Sequence, residues 1–337
     1  MAWLFPQIGP GERLIGIAKL AAEGEALDDG HNVEYLALDN RSVLCRCNSR
    51  RVPFAWTINP YRGCEFACKY CYARYTHEFM ELRNGLDFER RIFVKQHTAW
   101  LLRQELKKVR AGESIAIGTA TDPYQPAERR FETTRSLLEE FAQHRGLNLG
   151  LITKSCLILR DVELLQAVAR HNKLSIHVTV TTVKTGLARI LEPRAPRPDL
   201  RLNAVRKLTE AGLHVGVSCS PVLPGITDSP GDLEKVVQAA AAAGARSVFA
   251  NSLFLKPCSE KIFMPFLEEN FPHLAPLYRK RYADRAFLPL EYRRRISTLV
   301  KKYAEKYGLG QRQPDGSTDA GLLTPEQQGA EQLGLFA

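Results

Sequence analysis

The 337 residues, 45% of them apolar, suffice for one large α/β domain or two smaller ones with a sizeable core. No apolar run reaches the roughly 18 residues a membrane helix needs, and "MAWLFPQIGPGERLIGIAKL" lacks the basic start and apolar segment of a signal peptide. A cytoplasmic protein without membrane contact is expected. Eight cysteines are too few and too unevenly placed for a disulfide framework. Forty-seven Lys and Arg against 37 Asp and Glu give a formal +10, which suits a nucleic-acid partner as well as an ordinary solvated basic surface.

In chain order, residues 1–50 read as an N-terminal extension, 51–258 as the core, 259–310 as basic C-terminal helices and 311–337 as a disordered tail. Apolar, β-rich runs occupy 54–58, 114–119, 147–153, 174–182, 214–220 and 247–255. Between them lie segments with helical apolar spacing, such as "HTAWLLRQELKKV", "TTRSLLEEFAQH" and "DVELLQAVARH". Gly112, Gly146, Gly212 and Gly244 each stand directly before a strand, where glycine accepts the left-handed conformation that closes a helix. Strands alternating with helices imply right-handed βαβ units and a parallel sheet, here a partial (βα)6 barrel.

Reactive groups in such barrels gather where the strands end. Reading past each run gives Asn59 and a cysteine loop, Thr121 with Asp122, Lys154 with Ser155, Thr181 with Thr182, Ser220 with Pro221, and Lys256. Most of these are polar, as a ligand-binding rim requires.

The loop "NPYRGCEFACKYCYARYTHE" carries Cys64, Cys68 and Cys71 in a C-x3-C-x2-C spacing. A structural zinc site wants four ligands in two short-range doublets. Its second doublet must come from Cys45-x-Cys47, whose spacing is poor, or from isolated Cys156, Cys219 or Cys258. An electron-transfer cluster likewise uses four cysteine thiolates. Three cysteines leave one iron without a protein ligand, where a small molecule can coordinate and receive an electron. A zinc- or iron–sulfur-containing nucleic-acid-binding or electron-transfer protein without catalysis stays open at this point.

Cys64, Cys68, Tyr70 and Cys71 match C-x3-C-x-aromatic-C, and through them the sequence resembles the radical S-adenosylmethionine (SAM) superfamily. The resemblance implies a [4Fe–4S] cluster on the three cysteines and SAM on the open iron. It further implies one-electron cleavage of SAM to methionine and a 5'-deoxyadenosyl radical, which abstracts hydrogen from a substrate. An electron donor such as flavodoxin or ferredoxin is implied as a partner.

The stretches "NPYRGCEFACKYCYAR", "GTATDPYQPAE", "ITKSCLILRD", "EPRAPRPDLRL" and "SPVLPGITD" extend the likeness to the branch similar to spore photoproduct lyase. Position by position, it implies that Tyr70 stacks near or positions the adenine, or else packs under the loop. Thr121 and Asp122 take the place that holds the cofactor's amino group, Lys154 and Ser155 the place that meets its carboxylate, and Thr181 and Thr182 that of its ribose hydroxyls. A damaged or modified nucleic acid, in a DNA-repair-like reaction, is the implied substrate class. Where those lyases carry a hydrogen-donating cysteine, this chain has Gly118-Thr119-Ala120, which argues against thymine-dimer reversal. Cys156, Cys219 and Tyr124 are the candidate replacements, although a buried cysteine is usually a small hydrophobe.

The chain ends in "EQLGLFA". Gln332, Leu333, Leu335 and Phe336 resemble the QL-x-LF peptide by which bacterial replication and repair proteins bind the sliding clamp. Its apolar side chains suit a groove and its glutamine a hydrogen bond, at the end of a polar tether.

Overall fold

The computed structural model describes residues 14–30, 32–49 and 52–310. The expected disordered tail and the clamp-like peptide, Gln332, Leu333, Leu335 and Phe336, lie outside the described residues. The strands are β1 (Ala26–Gly30), β2 (Val33–Leu38), β3 (Leu44–Arg46), β4 (Trp56–Ile58), β5 (Tyr61–Arg62), β6 (Arg91–Lys95), β7 (Ser114–Ile117), β8 (Asn148–Thr153), β9 (Lys173–Thr179), β10 (Val215–Val222) and β11 (Ser247–Ser252).

Seven of them form one sheet in the order β11-β10-β9-β8-β7-β4-β3. β4 and β7 to β11 run parallel in chain order, and β3 adds one antiparallel edge. This is a partial (βα)6 barrel whose edges β3 and β11 stay apart. The remaining strands form a second sheet, β1-β2-β6-β5. Residues before 50 therefore contribute to both sheets, rather than preceding the core as an extension.

Period-two alternation gives the barrel sheet two unlike faces. On the helix side, Ile58, Ile117, Leu151, Ile176 and Val215 stand in one register row. They pack against Leu102, Leu138, Phe141, Leu165, Val168, Val205, Leu208 and Val237 of the surrounding helices. Each such fully buried side chain contributes about 1.5–3 kcal/mol. The row facing the interior is Thr57, Ala116, Gly150 and Ser175. Small and polar residues cannot fill a barrel, so the interior keeps room for a ligand. Along each strand the same parity carries the inward face on to Asn59, Lys154, Thr181 and Ser220 at the mouth.

The helix Leu290–Lys306 covers edge β11, burying Ile296, Val300 and Ala304. The helix Pro257–Asn270 packs instead behind the cysteine loop, on the 3-10 turn Tyr72–Arg74.

Candidate active site

The cysteine loop follows β5 at a glycine no other residue can replace. Gly63 has φ +86°, and a Cβ there would lie 2.8 Å from Phe88 O and 2.9 Å from Arg91 O. The loop is then gripped from the end of β7. Thr121 Oγ1 donates to Gly63 O at 2.6 Å, and Gln125 Nε2 donates to the same oxygen at 3.1 Å. Gln125 Oε1 accepts the Glu65 amide at 3.0 Å, while the Glu65 carboxylate accepts Ala127 N at 2.7 Å and the Tyr35 hydroxyl at 3.0 Å. Behind the loop, Arg74 donates to Cys68 O at 3.1 Å and pairs with Glu89 at 2.6 Å, both side chains deeply buried. Ser259 Oγ, from the helix Pro257–Asn270, donates to Cys71 O at 2.8 Å.

The three thiols are brought within one another's fields. Burial pushes all of them above the usual thiol range, Cys68 up to about 12, where Lys154 pulls the other way. Such thiols hold their protons until a cationic centre displaces them. Among the described residues, no three His, Cys, Asp or Glu side chains are arranged to hold a single metal ion. That arrangement disfavours a lone zinc ion, whereas a cluster takes its thiolates on separate irons. Cys45 lies on β3, Cys219 is fully buried in the helix-side core, and Cys258 lies behind the loop on its helix.

Opposite the loop, the ends of β8 and β9 carry a second buried network. Glu192 pairs with Arg201, each side chain 1% exposed, and accepts both the Tyr70 hydroxyl and Thr181 Oγ1, the latter at 2.9 Å. Arg201 also donates to Thr179 O at 3.1 Å. The Lys154 ammonium stands 5.8 Å above the Tyr70 ring. Burial works to lower Lys154, but the negative charge of Cys68, once it is a thiolate, and of Glu192 more than offsets that, and the net direction is upward.

The expected site residues thus divide. Tyr70, Lys154 and Thr181 meet around Cys68, with the Tyr70 ring packed in the core below the loop. Thr121 grips the loop. Asp122 is occupied as well: its oxygens accept Tyr124 N at 2.9 Å, Thr153 Oγ1 at 2.6 Å and Lys154 N at 2.7 Å. Burial raises its pKa and these bonds oppose the rise, so the carboxylate ties the end of β7 to that of β8. Ser155 Oγ accepts Leu157 N at 3.2 Å and Thr182 Oγ1 accepts Lys184 N at 3.1 Å; each hydroxyl keeps its proton to donate. Cys156 begins the 3-10 turn after β8, half-buried, and burial raises its thiol. Tyr124 is fully buried in the helix-side core, away from the rim. Glu192, Arg201, Gln125 and Glu65 were not picked out as site residues. Glu192 and Arg201 stand in "EPRAPRPDLRL", Glu65 in the cysteine loop and Gln125 in "GTATDPYQPAE", and such polar residues read as solvated surface until the fold closes over them.

A family model described as the radical SAM superfamily matches residues 58–239, just over half of the chain. This chain belongs to the radical SAM superfamily. An uncharacterized protein of Mycobacterium tuberculosis is 35% identical, with 85% of this chain and 86% of that protein covered. An uncharacterized protein of Methanocaldococcus jannaschii is 27% identical, with 76% and 90% covered. Among solved structures, a spore photoproduct lyase variant with bound AdoMet and dinucleoside spore photoproduct shares the fold, at a TM-score of 0.63 and 17% identity, covering 82% of this chain and 80% of that one.

Membership of the radical SAM superfamily implies a [4Fe–4S] cluster and S-adenosylmethionine. The residues present fit them. Cys64, Cys68 and Cys71 would hold the cluster, the protonated Lys154 and the Ser155 hydroxyl suit the cofactor's carboxylate, and Thr182 suits a ribose hydroxyl. Among the described residues, no helix is long and apolar enough to cross a membrane.

Proposed function

We propose that this radical SAM enzyme abstracts hydrogen from a damaged or modified nucleic acid in the cytoplasm. It would take electrons from a flavodoxin- or ferredoxin-type donor, and the C-terminal peptide Gln332 to Phe336 would dock it on the sliding clamp. When bound, the cluster and SAM supply a 5'-deoxyadenosyl radical; the chain's own task is to hold the cofactor still and present the substrate.

The observation that carries the substrate class is a run of aromatic rings beside the cysteine loop. Phe254 and Phe287 stack at 4.2 Å between centroids with planes 20° apart, and Tyr72 continues the run 5.9 Å from Phe254. Lys256 lies 3.8 Å over Tyr75 and Arg293 lies 5.9 Å from Phe287. Flat rings interleaved with cations are what nucleobases and their phosphates bind. The shared fold with a lyase that binds a dinucleoside photoproduct, and the formal +10, support the same reading.

Thymine-dimer reversal by that lyase's cysteine is not the reaction proposed. A Cβ at Gly118 would lie 2.5 Å from Pro123 Cδ and 2.7 Å from Ile152 O, and Ala120 packs against Cys64 and Cys71. No thiol stands there. Cys156, kept protonated by burial, is the candidate hydrogen donor to a substrate radical.

The test is anaerobic reconstitution, reduction with dithionite, and quantification of 5'-deoxyadenosine with and without damaged DNA or modified RNA. Stimulation by a nucleic acid, with binding that weakens as salt rises, supports the reading. SAM cleavage indifferent to every nucleic acid, with no salt-dependent binding, removes the substrate class and leaves the cofactor chemistry.

A further inference from the structure

β5 and β6 place two cations side by side with no acid between them. Arg62 pairs across with Phe93, and Lys95 lies two residues further on the same face, its amide donating to Pro60 O at 3.3 Å. The Lys95 side chain is 7% exposed, and among the described residues its ammonium has no hydrogen-bond or ion-pair partner. Arg62 Nε is enclosed and likewise has no hydrogen-bond partner among them. Arg62 is half-buried and Lys95 buried, and charges so placed are ordinarily paired, so two cations on one face without an acid favour an anion between them.

The surrounding groups do not supply it. Lys95 senses the Cys45 thiol, Arg62 and Glu105, and Arg62 senses Cys45 and the Tyr75 phenol. His77 is held neutral by burial, with Arg62 among the cations that reinforce it. Glu105 is the only carboxylate named among these neighbours, and its oxygens are already taken. Oε2 accepts Val43 N at 2.9 Å and Leu44 N at 2.8 Å, and Oε1 accepts Lys108 Nζ at 3.3 Å.

We propose that Arg62 and Lys95 form a phosphate-binding site that anchors the substrate beside the cysteine loop. Arginine offers a planar fork and lysine a compact point charge, the pair of donors that phosphate oxygens accept best. Position fits the task. Tyr75, next to Arg62, stacks on Tyr72 at 6.5 Å, and Tyr72 leads on to Phe254 and Phe287. A phosphate held by the two cations sets its attached base along those rings. This deepens the nucleic-acid reading and rests on it for the identity of the phosphate's bearer; a phosphodiester and a free nucleotide share the chemistry.

The test uses the reconstituted full-length protein and its Lys95→Met and Lys95→Arg variants. Thermal midpoints are compared in inorganic phosphate and in chloride at equal ionic strength, and binding of a fluorescent single-stranded oligonucleotide is followed against salt. Phosphate should raise the midpoint of the wild type and of Lys95→Arg. Lys95→Met should melt higher than wild type in chloride, because a buried unanswered charge is gone, and should gain nothing from phosphate. Its oligonucleotide affinity should fall about tenfold, and its salt slope should flatten by about one. A Lys95→Met protein that melts lower in chloride, keeps the phosphate increment and binds oligonucleotide as tightly overturns the site while the nucleic-acid reading stands. A phosphate increment that depends on Lys95, with oligonucleotide ignored by the wild type and a 5'-mononucleotide bound, upholds the site and overturns the nucleic-acid reading.

Discussion

The two sides of the barrel mouth are finished differently. On the side built from the ends of β7, β8 and β9, Thr121, Asp122, Gln125, Thr181, Glu192 and Arg201 find partners within the protein. On the side built from β3, β5 and β6, Arg62 Nε and the Lys95 ammonium find none among the described residues. A wall that must hold a cofactor in one geometry gains by completing its hydrogen bonds in advance. A wall that waits for a group carried in from outside leaves its charges unanswered.

The most severe way to break the contrast is to remove the cysteines that the finished side faces. Replacing Cys64, Cys68 and Cys71 by Ala together should abolish iron retention and reduce 5'-deoxyadenosine to the reagent blank, with iron, sulfide and product assayed on one preparation. Cluster surviving in that variant would mean that the loop is not the cofactor's seat.

The next largest effect tests whether the finished wall is held by its buried pair. Glu192→Gln strands Arg201, and urea unfolding should show a loss of about 3–5 kcal/mol. Adding Arg201→Met should cost less than the two single changes summed. Additive losses would show that the pair is not the unit the geometry suggests.

A smaller effect appears with pH. Burial lowers His77 from 6.5 to about 3, and its Nε2 lies 3.1 Å from Arg91 O. The folded pKa is below the unfolded one, so the unfolded chain takes up a proton first as pH falls. This contribution is fully present above about 6.5 and is lost progressively between there and about 3, at no more than about 1.4 kcal/mol per pH unit. His77→Phe should flatten that part of the stability profile measured by denaturant titration. An unchanged slope would assign the acid sensitivity elsewhere.

The smallest change touches the back of the loop. Ser259→Ala removes one buried hydrogen bond to Cys71 O and should cost about 1 kcal/mol while leaving iron content intact.

Much of this was legible in the sequence. The parallel strands announce themselves because β-rich runs alternate with helical spacing; the run read at 147–153 is β8 at Asn148–Thr153, and that at 247–255 shortens to Ser247–Ser252. The cysteine signature is legible because its spacing is local. The second sheet was not, since β2 pairs in parallel with β6 across the whole cysteine loop. No local pattern records such a pairing. Asp122 and Thr121 were placed correctly at the end of β7, but which hydrogen bonds they make depends on Gly63 and Lys154, far away in sequence. Glu192 and Arg201 look like surface charge for the same reason. Their burial is decided by Tyr70, more than a hundred residues earlier.

The bond from Ser259 to Cys71 links residues 188 positions apart. A ribosome must therefore have released about three quarters of the chain before the backbone behind the third cysteine acquires its last support. Iron and sulfide that arrive earlier meet a loop with its rear still open. That contact closes only after the helix Pro257–Asn270 has been synthesised, so a chain cut short before it leaves the back of the loop uncovered.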